Sequence, residues 1–385
     1  MYRNINLSIN NFPSVPSSLV SPTSSGSAVD EVSIDLARLY HHYYLDTRGV
    51  EPPNPDPAQF QHLSFLTSTS DFRVRGSGFG THSAYRQHVS NELGQAFCRW
   101  FLYEFLGITY FAHMEHVLDL GKQNRFGDFQ VERIDSGDAP DYLCTVDASQ
   151  VYLAEAKGRM SAINFTSREF TRWRKQFSRV LVRDGGGVAR SVKGYIVATR
   201  FAKEINPQVK SRVFVEDPET EGEGRIGRDQ FPGVGVIRLH YAEIARKLGQ
   251  LLLSAILESG GVADVELLFP AYVWQPRFGP YEKTRFVGGY FPGPFGLPPI
   301  ALKNGQIQFR NENPFRLDLS TGTFFGVEEG IFKRLCEVAR SRDFLPQILE
   351  PIPEPEFFYS GISFLRDGSI IGPVDFFQPV AQVDF

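Results

Sequence analysis

The clearest hydrophobic periodicity in this chain predicts two amphipathic helices. In the first, over residues 81–106, apolar side chains recur at three- and four-residue spacing: Val89, Leu93, Ala96 and Trp100. The second covers residues 167–183 and opens with a capping box, in which Thr166 caps the helix and Glu169 reaches back. Its apolar stripe comprises Phe170, Trp173, Phe177, Val180 and Leu181. Each helix therefore has one face to bury against another layer.

Short apolar runs around the second helix predict β-strands. Three of them lie before it, at residues 129–134, 142–146 and 151–156, and a buried strand is expected after it, at residues 192–201. The order of elements is then helix, three strands, helix and strand. We expect an α/β protein.

The flanking segments are less regular. Residues 1–30 are rich in Ser, Asn and Pro, so we expect an extended or disordered lead, followed by a short helix over residues 30–44. The run VGVIRLH predicts a strand, and residues 241–258 predict a helix. Beyond residue 262 the chain is aromatic and rich in Pro and Gly, with one helix near residues 328–342. We therefore expect three parts: an N-terminal extension (1–70), a central domain (71–258) and a C-terminal α+β or β-rich domain of unknown role (259–385).

The composition of the 385 residues is that of a soluble globular protein, with 42% hydrophobic and 22% charged residues. The chain has no run of about 18 apolar residues, so no membrane span is expected. Its beginning lacks the basic start and apolar block of a secretory signal. Cys98, Cys144 and Cys336 are widely spaced in apolar contexts, which is typical of reduced thiols in a cytoplasmic protein.

Candidate chemistry is concentrated in two of the predicted strands. Asp141 begins one of them, and the tripeptide Glu155-Ala-Lys157 lies on the next. Glu155 and Lys157 are two residues apart, so they share a face of the strand. Two carboxylates and an ammonium are costly to bury together unless a cation completes them, and Mg²⁺ prefers carboxylate oxygens. The alternative is an ordinary hairpin with a surface ion pair worth less than about 1 kcal/mol.

This arrangement resembles the PD-(D/E)XK nucleases, the superfamily with the restriction-endonuclease-like fold, over about residues 80–202. The resemblance implies a mixed central sheet flanked by helices and a Mg²⁺ or Mn²⁺ cofactor. It also implies metal ligation by Asp141, Glu155 and the backbone carbonyl of Ala156, with Lys157 orienting or activating the attacking water. Spacing alone does not decide whether Lys157 acts as a base, because nearby carboxylates raise its pKa and burial lowers it.

Two further catalytic residues are expected from the same resemblance. Many members add a glutamate from the helix before the strands, and Glu92 fits that role, with a solvated position on the helix flank as the alternative. Some members use a polar residue from the helix after the second strand, for which Gln176 is the candidate.

A basic segment follows the proposed site. The net charge of −4 gives no overall attraction to nucleic acid, so binding needs a local basic face. Next to a metal site, the excess of arginine suits phosphate contact, although a solvated helix face is the alternative. The expected nucleic-acid-binding residues are Arg159, Arg168, Arg172, Lys175 and Arg179.

The resemblance therefore implies a metal-dependent endonuclease that hydrolyses phosphodiester bonds, and we expect DNA as its substrate in preference to RNA. Its expected context is restriction or phage defence, followed by an antibacterial DNase toxin. Expected partners are DNA, with a homodimer or a regulatory or immunity protein left open, and no membrane. The alternative is a binding or assembly protein that keeps the fold without catalysis.

Two other motifs carry less chemistry. The glycine-rich stretch 73–80 precedes the first helix, but no Gly-Lys-Ser/Thr follows, so it is not a nucleotide-binding P-loop. His113 and His116 lack the spacing of a zinc-peptidase motif and are expected to be structural.

Overall fold

The computed structural model describes most of the chain. The described residues are 2–24, 26–46, 65–80, 82–121, 129–184, 186–220, 222, 232–277, 282–291, 300–303, 306–309, 322–341, 349, 351–353 and 361–385. By their internal contacts these residues form two compact units. The core unit comprises the described residues of 2–34 and 65–240, and the C-terminal unit those of 35–64 and 241–385.

Seven helices are seen in these ranges: α1 (Leu36–Asp46), α2 (Ser83–Leu106), α3 (Met114–Gly121), α4 (Arg168–Phe177), α5 (Gly233–Lys247), α6 (Leu251–Ser259) and α7 (Glu329–Ala339). The strands of the core unit are β1 (Tyr2–Asn10), β2 (Glu31–Asp35), β3 (Arg73–Val74), β4 (Tyr110–His113), β5 (Gln130–Arg133), β6 (Tyr142–Thr145), β7 (Tyr152–Arg159), β8 (Val180–Arg183), β9 (Ala189–Arg190), β10 (Lys193–Arg200), β11 (Ala202–Lys203) and β12 (Arg212–Glu216). Those of the C-terminal unit are β13 (Pro270–Pro276), β14 (Phe286–Phe291), β15 (Ile300–Lys303), β16 (Gln306–Phe309), β17 (Thr323–Glu328), β18 (Ser363–Phe364), β19 (Ser369–Pro373) and β20 (Phe377–Asp384).

A seven-stranded mixed sheet organises the core unit, in the order β2-β1-β12-β10-β7-β6-β4. The pairs β7–β10 and β1–β12 are parallel, whereas β6–β7 and β10–β12 are antiparallel. The protein is thus an α/β protein with a large mixed sheet flanked by helices, as the sequence predicts at this coarse level.

One face of β7 is covered by α2, and glycines set how closely the two approach. A Cβ added to Gly158 would fall within bonding distance of the Ser90 carbonyl oxygen, and a Cβ on Gly94 would lie 2.3 Å from the Gly158 nitrogen. Helix and strand therefore meet backbone to backbone. Because side chains alternate along a strand, Ala154, Ala156 and Gly158 share this helix-covered face. The predicted helix over 81–106 is confirmed.

The opposite face of β7 and β10 is covered by α4. Phe177 of α4 leaves no room for a Cβ on Gly194, whose strand neighbour on β7 is Leu153. The Arg159 guanidinium lies 5.4 Å from the ring of Trp173, one turn before Phe177 on α4. Side chains on the odd positions of β7, including Glu155 and Lys157, therefore point to the same side of the sheet as α4.

The second helix is shorter than its sequence pattern suggests. It ends at Phe177, and residues 180–183 form strand β8, so Val180 and Leu181 do not belong to the helical stripe. The hydroxyl of Ser167, rather than Thr166, accepts the capping hydrogen bond from the Phe170 backbone nitrogen at 3.4 Å. The strand expected at 129–134 exists as β5, but it pairs with β8 in a separate three-stranded sheet.

Of the two forms expected for the N-terminal segment, extended or disordered, the structure shows the extended one over residues 2–10. Tyr2–Asn10 is a strand inside the seven-stranded sheet, parallel to β12 and hydrogen-bonded to residues near 70. Within the segment expected to be one helix over 30–44, residues 31–35 form β2 before α1 begins. Polar residues in β1 gain their order from pairing with a strand about 200 residues later in the chain, which no local pattern reveals.

Another correction concerns the run VGVIRLH. It lies in helix α5 and not in a strand, because its β-branched residues occupy a helix buried nearly all round. The predicted helix over 241–258 is divided between α5 and α6, which are separated by Gly249 in a left-handed conformation. Strand β4 and helix α3 were not predicted, and both lie in the aromatic segment that contains His113.

The C-terminal unit contains both helices and strands. Its six-stranded sheet has the order β18-β19-β17-β14-β13-β20, and the helix predicted near 328–342 is α7. Helix α1 also belongs to this unit, where buried His41 lies 3.0 Å from the Ser363 hydroxyl and 3.1 Å from the Ser369 hydroxyl. The three cysteines are buried and make no disulfide. Among the described residues, no helix combines the length and the apolar character needed to cross a membrane.

Candidate active site

The two candidate carboxylates lie on adjacent antiparallel strands of the central sheet. Tyr142 pairs with Ala154 in the β6–β7 ladder, so Asp141, immediately before β6, lies opposite Glu155. The Asp141 carbonyl also accepts a hydrogen bond of 2.8 Å from the Met114 nitrogen, which fixes the start of β6. The strand pairing therefore brings together residues that are fourteen positions apart in sequence, as predicted.

The orientation of Asp141 is set by the backbone of β7. Its Oδ2 accepts a hydrogen bond of 2.7 Å from the Ala156 nitrogen and lies 3.4 Å from Lys157 Nζ. Lys157 Nζ also contacts Oε1 of Glu155. One ammonium is thus shared between two carboxylates. Asp141 and Lys157 keep 23% and 24% of their side-chain surface exposed, whereas Glu155 is fully buried, so the cluster is reached from the side of the aspartate and the lysine.

Glu155 is in an unfavourable place for a carboxylate. Burial and, next, the negative charge of Asp141 raise the pKa of Glu155 well above its usual value, although Lys157 opposes this. Lys157 contacts Oε1 of Glu155, whereas Oε2 of Glu155 has no hydrogen-bond donor among the described residues. A buried carboxylate with an unpaired oxygen is costly. Glu155 is therefore the least satisfied member of the cluster.

Lys157 is a cation in this arrangement. Burial lowers the pKa of Lys157, but the charges of Asp141 and Glu155 outweigh burial and raise the pKa above its usual value. In the cluster as it stands, Lys157 is a hydrogen-bond donor and a positive charge. A raised pKa suits a hydrogen-bond donor better than a general base.

The donor set suits a hard divalent cation. Mg²⁺ and Mn²⁺ take carboxylate oxygens together with water, and Glu155 Oε2 is a buried oxygen without a donor. Asp141 is partly exposed and offers a second carboxylate beside it. The carboxylates of Asp141 and Glu155 fit such an ion, whereas ligation by the Ala156 carbonyl stays a prediction.

Glu92 lies on a different side of α2 from the strand contact. Ser90 and Gly94 approach β7, and a residue two positions away is rotated by about 200° on a helix. Glu92 Oε1 lies 3.5 Å from Nε2 of His88, one turn earlier, and its side chain is 25% exposed. The structure thus places Glu92 on the flank of α2, and its catalytic role stays a prediction.

Gln176 is buried on α4, the helix that covers the Glu155 face of the sheet. Its side-chain oxygen Oε1 has no hydrogen-bond partner in the described part of the chain. It is adjacent to Phe177, which packs on β10. A buried amide oxygen without a donor is unusual in a purely structural position. Its position is compatible with a role at the site, which stays a prediction.

The predicted nucleic-acid-binding residues fall into two groups. Arg168, Arg172 and Lys175 are exposed and lie at i, i+4 and i+7 on α4, so they form one stripe on its outer face, here called the basic stripe. The other two are held by protein groups. Arg159 pairs with Glu169 at 3.6 Å, and Arg179 donates to the Asp138 carbonyl at 2.9 Å, in the loop before Asp141.

Two arginines next to Arg159 were not predicted. Arg200 of β10 pairs with Arg159, and Arg212 of β12 pairs with Arg200 in the strand register. Arg200 is the last residue of β10 and Arg212 is the first residue of β12, and both lie far in sequence from the basic segment. Only the register shows that they are neighbours.

Comparison of the chain with protein-family models, with curated proteins and with solved structures found no match. The interpretation of the site therefore depends on its own geometry and chemistry.

Proposed function

We propose that the protein is a metal-dependent nuclease that hydrolyses phosphodiester bonds, with DNA as the preferred substrate. The observation that carries the proposal is the cluster of Asp141, Glu155 and Lys157, in which a fully buried carboxylate keeps one oxygen without a donor. A purely structural cluster would be expected to satisfy that oxygen. A restriction or phage-defence role, or that of a DNase toxin, belongs to the same proposal.

Each residue has a distinct task in this proposal. Asp141 and Glu155 hold the cation, and the Ala156 backbone nitrogen keeps Asp141 turned towards Glu155. When bound, the cation supplies charge stabilisation at the phosphate and lowers the pKa of a water ligand. Lys157 orients the attacking water and balances negative charge that develops on the phosphate. Glu92 and Gln176 are proposed as supporting residues of lesser effect.

Substrate binding is assigned to the basic stripe of α4. Helix α4 lies on the same side of the sheet as Glu155 and Lys157, and none of the three stripe residues makes an ion pair within the described ranges. Exposed arginines without acidic partners suit contact with phosphate groups. Such contacts fix the position of a nucleic acid without reading its sequence.

The second candidate is a binding or assembly protein that keeps this fold without catalysis. The raised pKa of Lys157 favours this candidate, because Lys157 stays positively charged beside the two carboxylates. In that case Lys157 offsets one of the two carboxylate charges, and metal binding has no role.

A plasmid assay distinguishes the two candidates. Supercoiled DNA is incubated with the wild type in Mg²⁺, in Mn²⁺ and in EDTA, and with Asp141→Asn and Lys157→Ala. Lys333→Ala is the matched control, since Lys333 is exposed on α7 of the other unit. We expect nicking by the wild type and by Lys333→Ala that depends on the metal, and loss of nicking in the other two variants.

Equal nicking by all four proteins would show that the activity comes from another source and would reject the proposal. A structured RNA transcript in the same assay tests the preference for DNA.

A further inference from the structure

Three arginines lie side by side across the central sheet. Arg159 of β7 pairs with Arg200 of β10, and Arg200 pairs with Arg212 of β12. Directly paired residues on neighbouring strands point to the same face, and the strands are about 4.8 Å apart. These residues, here called the arginine row, therefore present three guanidinium groups on one face, at one end of their strands.

The arginine row lies next to the proposed active site. Arg159 follows Lys157 by two residues, so the two side chains share a face and are separated by about 6.6 Å along the strand. This is also the face covered by α4. A substrate phosphate held near Lys157 therefore has the arginine row beside it, one step further along β7.

The protein itself neutralises the row only in part. Arg159–Glu169, at 3.6 Å, is the only ion pair that any of the three makes among the described residues. Arg200 Nη2 donates to the Lys210 carbonyl at 2.9 Å, and Arg212 Nη1 donates to the Ser8 hydroxyl at 2.7 Å. These acceptors are neutral. Of the three cations, only Arg159 therefore has an acidic partner among the described residues.

This arrangement is costly without an anion. Like charges directly opposite each other on adjacent strands destabilise a sheet. Burial, and next the charge of Arg212, lower the pKa of Arg200, which means that its charged form is disfavoured. Arg200 Nε also lies buried without a hydrogen-bond acceptor in the described part of the chain. A row of three guanidinium groups, two of them without an acidic partner among the described residues, indicates a place for an external anion.

We infer that the arginine row binds a second backbone phosphate of the nucleic acid, next to the phosphate that is cut. This inference rests on the proposed function and extends it, since it assigns substrate contacts to residues of β10 and β12. The planar forks of arginine suit a phosphate in two-pronged geometry. The arginine row would hold the nucleic-acid strand in a fixed position relative to Lys157, without recognising the identity of its bases.

The test measures binding without catalysis. Affinity for a fluorescent DNA duplex is measured over a range of salt concentrations in EDTA, for the wild type, Arg200→Gln, Arg212→Gln and the double variant. Arg285→Gln is the matched control, because Arg285 is a half-exposed arginine paired with Glu329 in the C-terminal unit. For the double variant we expect at least about tenfold weaker binding and a salt slope smaller by about 1.

Stability measurements separate this role from a structural one. If the row serves the fold, Arg200→Gln lowers the melting temperature of the free protein. If it serves phosphate, the melting temperature of free Arg200→Gln is unchanged or higher, because a like-charge contact is removed. Added duplex then raises the melting temperature of the wild type but not that of the double variant. Arg200→Lys keeps the charge while losing the fork, so it should fold and bind with intermediate affinity.

The outcomes are distinguishable from those of the plasmid assay. An unchanged salt slope in the double variant, as in Arg285→Gln, overturns the inference even if Mg²⁺-dependent cleavage is found. A reduced slope with no cleavage by the wild type supports the arginine row and rejects the proposed nuclease. A lower melting temperature of Arg200→Gln with wild-type affinity assigns the row to the fold and also overturns the inference.

Discussion

Two buried glutamates lie in one row of the central sheet and have opposite surroundings. Glu155 of β7 and Glu216 of β12 both flank Ile196 of β10, and both side chains are fully buried. Glu216 accepts hydrogen bonds from Arg174 at 2.6 and 2.7 Å and from Asn10 at 2.9 Å. Glu155 contacts a shared lysine and faces a second carboxylate.

The difference shows that one sheet can contain a glutamate with a structural role and another whose surroundings suit chemistry. The charge of Glu216 is balanced by two hydrogen bonds from Arg174, which join α4 to β12, and the hydrogen bond from Asn10 joins β1 to β12. Glu155 has one oxygen without a donor and a pKa raised by burial and by Asp141. A buried carboxylate with hydrogen-bond donors for its oxygens stabilises the fold. A buried carboxylate that lacks a donor and lies beside another carboxylate is suited to binding a cation.

The largest expected effect is a loss of cleavage activity at the cluster that contains Glu155. Lys157→Ala should lower metal-dependent cleavage by about 10²–10⁴-fold, because it removes the group that orients water and balances charge. Cleavage rates under single-turnover conditions give this value, with circular dichroism as the check on folding. Wild-type rates for Lys157→Ala would remove Lys157 from the mechanism.

The next effect concerns stability. Glu216→Ala should lower the free energy of unfolding by about 3–5 kcal/mol, because it leaves the partly buried Arg174 without its partner. Urea denaturation measures this loss, and Glu155→Gln is the matched control. A similar loss in both variants would mean that Glu155 is as structural as Glu216.

A smaller effect is the pH dependence that Glu155 confers on the metal-free protein. Because its pKa is raised in the folded state, the folded protein binds more protons than the unfolded chain above pH 4.5. Stability should therefore fall as the pH rises from 4.5 through the raised pKa of Glu155, and Glu155→Gln should remove this contribution. Thermal melts in EDTA between pH 4.5 and 8 test it. A decline of equal size in Glu155→Gln would assign the pH dependence to other groups.

The smallest expected effect is on DNA binding by the basic stripe, on the outer face of α4. Arg172→Ala should weaken DNA binding uniformly across sequences and reduce the salt slope by about 1. Arg183→Ala is the control, since Arg183 pairs with Glu132 at 2.7 Å on the surface. Equal salt slopes for the two variants would exclude the basic stripe from phosphate contact.

The sequence predicts those parts of the site that depend on local spacing. Glu155 and Lys157 share a face because they are two residues apart, and the short connection between β6 and β7 brings Asp141 opposite them. The sequence does not predict what long-range pairing creates. The Glu216–Arg174–Asn10 contacts join three distant segments, and Arg200 becomes a neighbour of Arg212 only through the strand register.

The same limit explains the errors in the fold. The polar strand β1 is ordered by its pairing with β12, and the β-branched run at the start of α5 is helical because its surroundings are apolar on nearly all sides. In both cases tertiary contacts override local preference.

The most direct test of the central claim compares cation binding at the two acids. Mn²⁺ binding is measured by electron paramagnetic resonance or calorimetry for the wild type, Asp141→Asn, Glu155→Gln and Asn10→Ala, the last of which alters the surroundings of Glu216 only. We predict one Mn²⁺ site in the wild type and in Asn10→Ala, and its loss in Asp141→Asn and Glu155→Gln. Mn²⁺ binding that is unchanged in Glu155→Gln would contradict this account.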